Sequence, residues 1–242
     1  MKITILTIFP EMFNDFLNTS IIKKARLKNL VEINIVDFRS FSSFPSKRVD
    51  DYPYGGGAGM VLMCQPVLDA LESVKTDKSH VIITSPIGPK FDQQMAYELL
   101  EKKEIIIICG HYEGFDARIF EFVDQHISIG DYILTGGELP AMVITDAITR
   151  LVEDTISEDS IIEESFEDGL LEYPQYTRPE VYKGLQVPEV LLSGHHENIR
   201  LYRLKESLRT TYLNRKDLLE KRKFTKEERK LLEEVIEEEK KQ

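Results

Sequence analysis

The chain has 242 residues, 42% of them hydrophobic and 9% aromatic, a composition that supports a sizeable core and excludes wholesale disorder. Its longest apolar run, residues 105–109, has the length of a buried strand and falls far short of the ~20 residues that span a bilayer. The formal net charge of −11, from 31 basic and 42 acidic residues, excludes a uniformly basic nucleic-acid binder. That balance is uneven, with acidic stretches at 153–172 and 233–239 and a Lys/Arg-rich stretch at 200–230, so a local basic surface remains open. The amino terminus, MKITILTIFPEMF, lacks a small-residue cleavage site, and Cys64 and Cys109 lie far apart in apolar surroundings. A soluble, cytoplasmic protein with reduced core thiols is the expectation.

In chain order, the pattern predicts a strand at 2–8, a helix at 12–28, a strand at 31–37 and a helix at 66–74. A strand at 80–84, a helix at 92–102, a strand at 105–109 and a short one at 125–129 follow. Continuous β-branched strands separated by helices mean an α/β fold with a parallel sheet covered on both faces. Residues 138–153 read as a long helix with Leu139, Met142, Val143, Ala147 and Leu151 as its apolar stripe. The acidic segment after it has no sustained periodicity. It predicts a first domain over 1–160, an interdomain spacer over 161–172 and a small all-helical domain over 173–242. Helices are expected there at 197–212, 216–220 and 225–240, the last opened by a capping box from Thr225 to Glu228.

Three glycine-rich segments stand out: YGGGAGM at 54–60, CGHYEGFD at 109–116 and SIGDYILTGGELP at 128–140. The first lacks the Gly-Lys-Ser/Thr of a triphosphate loop, and no G-x-G-x-x-G opens a βαβ unit. The second and third follow strands, where open parallel sheets place ligands. Their backbone groups suit an adenine edge and ribose hydroxyls, unless the glycines merely make tight turns.

The segments PYGGGAGM, SPIGPKFDQ, CGHYEGFD, SIGDYILTGGELPAM, GLLEYPQYTRP and VPEVLLSGHHENI stand in the order and spacing of TrmD-type tRNA (guanine-N1) methyltransferases, which this chain resembles from Ile5 to its helical tail. The resemblance implies a SPOUT fold with a deep trefoil knot, an exception to unknotted topology. It also implies a homodimer with the active site between subunits, and S-adenosylmethionine held bent in the knot. The implied cofactor site comprises Pro86, Gly110, Tyr112 and Gly114, then Ile129, Gly130, Asp131, Tyr132, Ile133, Leu134, Gly136, Gly137 and Pro140. The implied substrate is the guanosine at tRNA position 37, preceded by another guanosine.

Methylation at guanine N1 needs a carboxylate to take the ring proton and a cation or N–H donors to stabilise the charge that grows toward O6. Arg150 matches the family's catalytic arginine; spacing alone leaves it equally a partner of Asp146 at an interface. The family's general base is an aspartate just before Ser-Phe, and this chain carries Glu164 there, one methylene longer. Glu113, at the tip of the second loop, faces the methionine amine or a magnesium ion, or caps a turn. His111, His126, His195 and His196 show no metal-ligand spacing, and no metal site is assigned. For tRNA, the stretch Arg200, Arg203, Lys205, Arg209, Arg215, Lys216, Arg222 and Lys223 suits phosphates, with Tyr202 and Tyr212 as stacking partners and His195 and His196 as further contacts. Arg48 and Lys90 lie nearer the glycine loops. Two other readings remain: an RNA-binding module that has lost catalysis, or a SPOUT methyltransferase with another RNA target.

Overall fold

The computed structural model describes residues 1–157 and 164–241. The chain divides into two compact units, Met1–Ser157 and Glu158–Gln242, each described by itself.

The first unit is built on a five-stranded parallel sheet of order β2-β1-β6-β5-β7. Its strands are β1 (Lys2–Thr7), β2 (Glu32–Asp37), β5 (His80–Thr84), β6 (Glu104–Ile108) and β7 (Gln125–Ile127). A separate two-stranded pair, β3 (Asp50–Asp51) and β4 (Val61–Leu62), brackets the first glycine-rich segment. Side chains alternate across the sheet. Ile3, Ile5, Ile82, Ile105 and Ile107 enter one core layer, and Leu6, Val81, Ile83, Ile106 and Ile108 enter the other. Helices α1 (Asn14–Asn18), α2 (Ser20–Leu27), α4 (Gln93–Leu100) and α5 (Glu138–Leu151) cover the first layer; α3 (Cys64–Val74) covers the second. Both faces are therefore buried, as the continuous apolar strands require.

Two expectations for this unit are corrected. The helix expected at 12–28 is broken into a 3-10 turn at Pro10–Phe13, then α1 and α2, with Thr19 extended between the helices. Asn18 Nδ2 donates to Asn14 O and Thr19 Oγ1 to Asp15 O, both at 2.7 Å, so side chains take up carbonyls that a further turn would use. In α5 the face toward the sheet is Ala141, Ile144, Thr145 and Ile148, not the stripe read from the sequence. Leu139 and Val143 remain 48% and 47% exposed. The helix is apolar on two sides, and periodicity could not tell which side meets the sheet.

The second unit comprises the hairpin β8 (Val181–Tyr182) and β9 (Leu185–Gln186), then α6 (Glu189–Leu192), α7 (His196–Asn214), α8 (Lys216–Lys221) and α9 (Lys226–Glu239). The hairpin departs from the all-helical expectation. Lys183 and Gly184 both take positive φ, 52° and 81°, the backbone of a two-residue turn that matches strand twist. Residues 158–163, which include the first three of the expected spacer 161–172, lie outside the described residues. The remainder folds onto this unit: Leu170 is buried with Leu208 and Leu219, and Leu171 N donates to Thr211 Oγ1 at 2.9 Å. The predicted capping box opens α9, with Thr225 Oγ1 accepting from Glu228 N and Glu228 reaching back to Thr225 N.

Helices α7 and α9 face one another through opposite charges. Lys205 pairs with Glu234 and Glu238, Arg209 with Glu206, Glu238 and Glu239, and Arg200 with Glu197 and Glu227. Hydrogen bonds from Lys205 and Arg209 pull the Glu238 carboxyl from its ordinary 4.5 down to about 2. A depressed folded-state value means the unfolded chain takes up the proton first. The stabilisation is complete above 4.5 and drains as pH falls toward 2. Solvent screening keeps it small, because the carboxylate is half exposed. Thermal unfolding in this acid range is expected to fall less steeply in Glu238→Gln than in wild type; parallel profiles would remove this carboxylate from the acid response.

Candidate active site

Strands β5, β6 and β7 end side by side, and their carboxyl ends open into a cavity of about 440 Å³. Topology puts it there. The chain leaves β5 for β6 on one side and leaves β6 for β7 on the other, so the loops diverge and a crevice is left between them. Thr84, Ser85 and Pro86 extend β5, residues 110–115 extend β6, and residues 127–130 extend β7. The third glycine-rich segment closes the far wall with Tyr132, Ile133, Leu134 and Gly136, then enters α5 through Gly137 and Pro140.

All the residues expected to hold the cofactor line this one cavity except Asp131, which pairs with Lys90 at 2.5 Å. Asp131 is exposed, so its carboxylate is turned to solvent and to that lysine instead of inward. Glu113 lines the cavity, and its N–H donates to Met60 O at 3.0 Å, which sets the first glycine-rich segment against the second. Arg150 does not line it. It lies on the last turn of α5, ten residues and hence about 15 Å along the helix from Pro140.

Sequence reasoning missed Thr84, Ser85, Phe115, Phe120 and Ser128 in the lining. Thr84 and Ser85 were within reach, since they continue an apolar strand directly into Pro86. A buried pair at the base of the site was not: Thr7 Oγ1, at the end of β1, donates to Glu138 Oε1 at 2.7 Å, across 131 positions of chain. It ties the first residue of α5 to the sheet. His111 stands edge-on to the rings of Phe9 and Tyr112, each at 4.9 Å, and stiffens the same corner.

Two contacts fix the third loop. Gly136 bridges to His111, and Gly137 N donates to Gly110 O at 2.7 Å. A β-carbon on Gly137 would stand 2.6 Å from Gly110 N and 2.8 Å from Cys109 Cα, and would also press on Thr84 Oγ1. Two backbones meet with no room for a methyl group. The cavity is thus made of backbone held at close range, with Ile129, Leu134, Pro86 and Pro140 as apolar walls.

A family model described as tRNA (Guanine-1)-methyltransferase TrmD matches residues 1–221. The chain belongs to the TrmD family. Among its relatives is a tRNA (guanine-N(1)-)-methyltransferase of Syntrophomonas wolfei, 56% identical over 237 residues, covering 98% of this chain and 97% of that protein. Proteins of the same name from Dictyoglomus turgidum and Clostridium acetobutylicum are 52% and 51% identical, and each alignment covers at least 96% of both chains. The TrmD family has the SPOUT type of α/β architecture, which accords with the parallel sheet and its terminal cavity.

In the second unit, Glu164 lines a groove of about 480 Å³ with Asp168, Tyr173, His196, Arg200 and Arg203. The Arg203 guanidinium lies 4.9 Å over the Tyr173 ring. Along α7, Arg200, Lys205 and Arg209, three of the cations expected to meet phosphates, pair with carboxylates of α7 and α9. Arg222 is likewise held by Glu228 and Asp168, and Arg215 by Asp217. Tyr202 is half-buried; that burial, with Tyr176 beside it, pushes its hydroxyl up to about 12. Lys216 instead sits 4.5 Å over the ring of Tyr212. Among the described residues no three His, Cys, Asp or Glu side chains gather as a metal site, and no helix is long and apolar enough to cross a membrane.

Gly137→Ala is expected to cost about 1–3 kcal/mol of stability through overpacking and to weaken cofactor binding by at least tenfold. Calorimetric titration with S-adenosylmethionine beside thermal unfolding checks this; wild-type values for both would show that the two backbones can part at no cost.

Proposed function

We propose that this TrmD-family chain transfers a methyl group from S-adenosylmethionine to N1 of the guanosine at position 37 of tRNA, next to the anticodon and preceded by guanosine. The observation that carries the reading is the convergence of the second and third glycine-rich loops on one cavity at the carboxyl ends of three adjacent parallel strands. The cavity suits the cofactor: apolar walls for a purine face, and backbone N–H and C=O groups for its edge and for ribose hydroxyls. The family's knot is supported by the return of the third loop to the end of β6, where Gly137 N bonds Gly110 O before α5 begins.

Bound S-adenosylmethionine supplies an electrophilic methyl group on a positively charged sulfur. The chain's own task is to expose the guanine, remove its N1 proton and stabilise the negative charge that moves toward O6. Glu164 is assigned the proton, as the carboxylate at the family's base position. Arg150 is assigned the developing charge on O6. Glu113, in the cavity wall, is assigned to the methionine amine. A cytoplasmic location is part of the proposal and is supported by the family's tRNA substrate.

A homodimer, with the active site at the subunit interface, is part of the proposal. It is supported by the outer row of α5, where Leu139 and Val143 stand exposed on the side of the helix that continues through Asp146 to Arg150. A second copy covering that row would bury its leucine and valine and place Arg150 at a shared boundary.

Labelled methyl transfer to tRNA with and without guanosine at position 37 tests the function; transfer without that guanosine sinks the assigned target, and none to any RNA favours a binding module. Arg150→Ala and Glu164→Gln are each expected to lower kcat by at least a hundredfold, the scale of general acid–base and oxyanion terms, with cofactor affinity unchanged. Wild-type turnover in either removes that residue from the mechanism. Val143→Glu is expected to give a monomer in analytical ultracentrifugation, and an intact dimer would move the interface elsewhere.

A further inference from the structure

Two residues beyond Glu164, Phe166 has a geometry that packing does not account for. Its ring is 45% exposed. Its backbone has φ +77°, the left-handed region, where a β-carbon is strained and glycine is the usual occupant. An exposed aromatic ring on strained backbone gains little from burial to offset either cost, and such outliers gather where a chain meets a ligand.

The mounting beneath the ring is rigid. Phe166 N donates to Leu170 O at 2.8 Å, closing a tight loop. Leu170 is buried in the core of the second unit, and Glu172 N donates to Ser165 Oγ at 2.9 Å. Asp168, in the middle of the loop, accepts from Arg222 on both its main-chain and side-chain oxygens. The loop is pinned from below, and the phenyl ring is the part that projects.

Above the ring stands a cation. The Arg215 guanidinium lies 5.8 Å from the centroid of Phe166 and is held by two hydrogen bonds to Asp217, at 2.9 and 2.7 Å. The next residue, Lys216, covers Tyr212 at 4.5 Å. Two cation–aromatic pairs therefore stand side by side at the junction of α7 and α8. Alternating flat rings and cations are the surface on which unpaired nucleobases stack, with the cations near the backbone phosphates. At this junction the Lys216 ammonium and the Arg215 guanidinium, itself paired with Asp217, stand beside the Tyr212 ring and the exposed Phe166.

We propose that Phe166 and Arg215 form a stacking platform for an unpaired nucleobase of the RNA substrate, next to the base whose N1 proton is assigned to Glu164, two residues away. The inference rests on the reading of this chain as an RNA-modifying enzyme and names where the second unit grips a single-stranded part of that RNA. Stacking requires a π face but reads no base edge. The platform therefore contributes affinity and positioning, and leaves the choice of base to hydrogen-bonding groups.

The test uses the full-length protein and a stem-loop RNA with the target guanosine in its loop and the fluorescent base 2-aminopurine beside it. Phe166→Leu keeps apolar volume and the same strained backbone but removes the π face; Phe166→Trp restores and enlarges it. The leucine variant is expected to bind this RNA between about fivefold and a hundredfold more weakly, with the fluorescence change on binding lost, and the tryptophan variant to recover both. S-adenosylmethionine affinity and melting temperature should match wild type in each. Equal RNA affinity in wild type and Phe166→Leu overturns the platform while leaving methyl transfer intact. Loss of thermal stability in the leucine variant without rescue by tryptophan also overturns it, because the ring would then be structural. A wild-type protein that neither binds nor methylates any RNA defeats the enzymatic reading, and the platform with it.

Discussion

The hydrogen bond from Gly137 N to Gly110 O joins two segments that the chain makes far apart, and most of the first unit's functional geometry hangs from it. It forms only because Gly137 carries no side chain, so the backbone after β6 and the backbone before α5 meet almost in contact. From that junction, α5 must start at the floor of the cavity. Thr7 and Glu138 then fasten the start of the helix to the sheet with a buried bond. The position of every later residue on α5, Arg150 included, follows from where the helix begins and how it is rotated. One close approach of two backbones thus sets both the wall of the cavity and the aim of the helix that leads away from it.

The rotation of α5 has its own cause. Ala141, Ile144 and Ile148 fit the sheet because they are small or β-branched and interlock with Ile3, Ile5 and Ile107. Thr145 and Thr149 are buried on the same side. What is left outward is a row with two aliphatic residues, an aspartate and an arginine. Such a row is poorly matched to water at one end and well matched at the other, the usual make-up of the boundary between an interface core and its rim.

How far the sequence revealed this structure depended on the range of each interaction. Strand β5 was read to the residue, because HVIIT is apolar, β-branched and bounded by serines on both sides. The ligand loops were legible because glycines collect at strand ends, a local signal with a local cause. The rotation of α5 was not, since an apolar residue on a helix looks the same whether it faces the sheet or the outside. The break at Thr19 turned on side chains that competed for carbonyls one turn back, below the resolution of an apolar pattern. The ion pairs of the basic stretch of α7 were not legible for a different reason. Counting charges says nothing about partners about thirty positions away in α9, and Lys205 and Arg209 have theirs there. Family resemblance named the activity and the base position, where Glu164 alone carries no signal above that of any acidic residue.

The pairing of α7 with α9 also bears on how such a protein distinguishes one nucleic acid from another. Binding that rests on many lysine–phosphate contacts releases a counterion at each and weakens steeply with ionic strength, whatever the sequence or shape of the partner. A helix whose cations are already matched by its neighbour's carboxylates gives little of that general attraction, and a chain of net charge −11 repels polyanions at long range. Affinity then has to come from a few contacts that only a correctly folded loop can reach. The consequence expected is a shallow dependence of RNA binding on ionic strength.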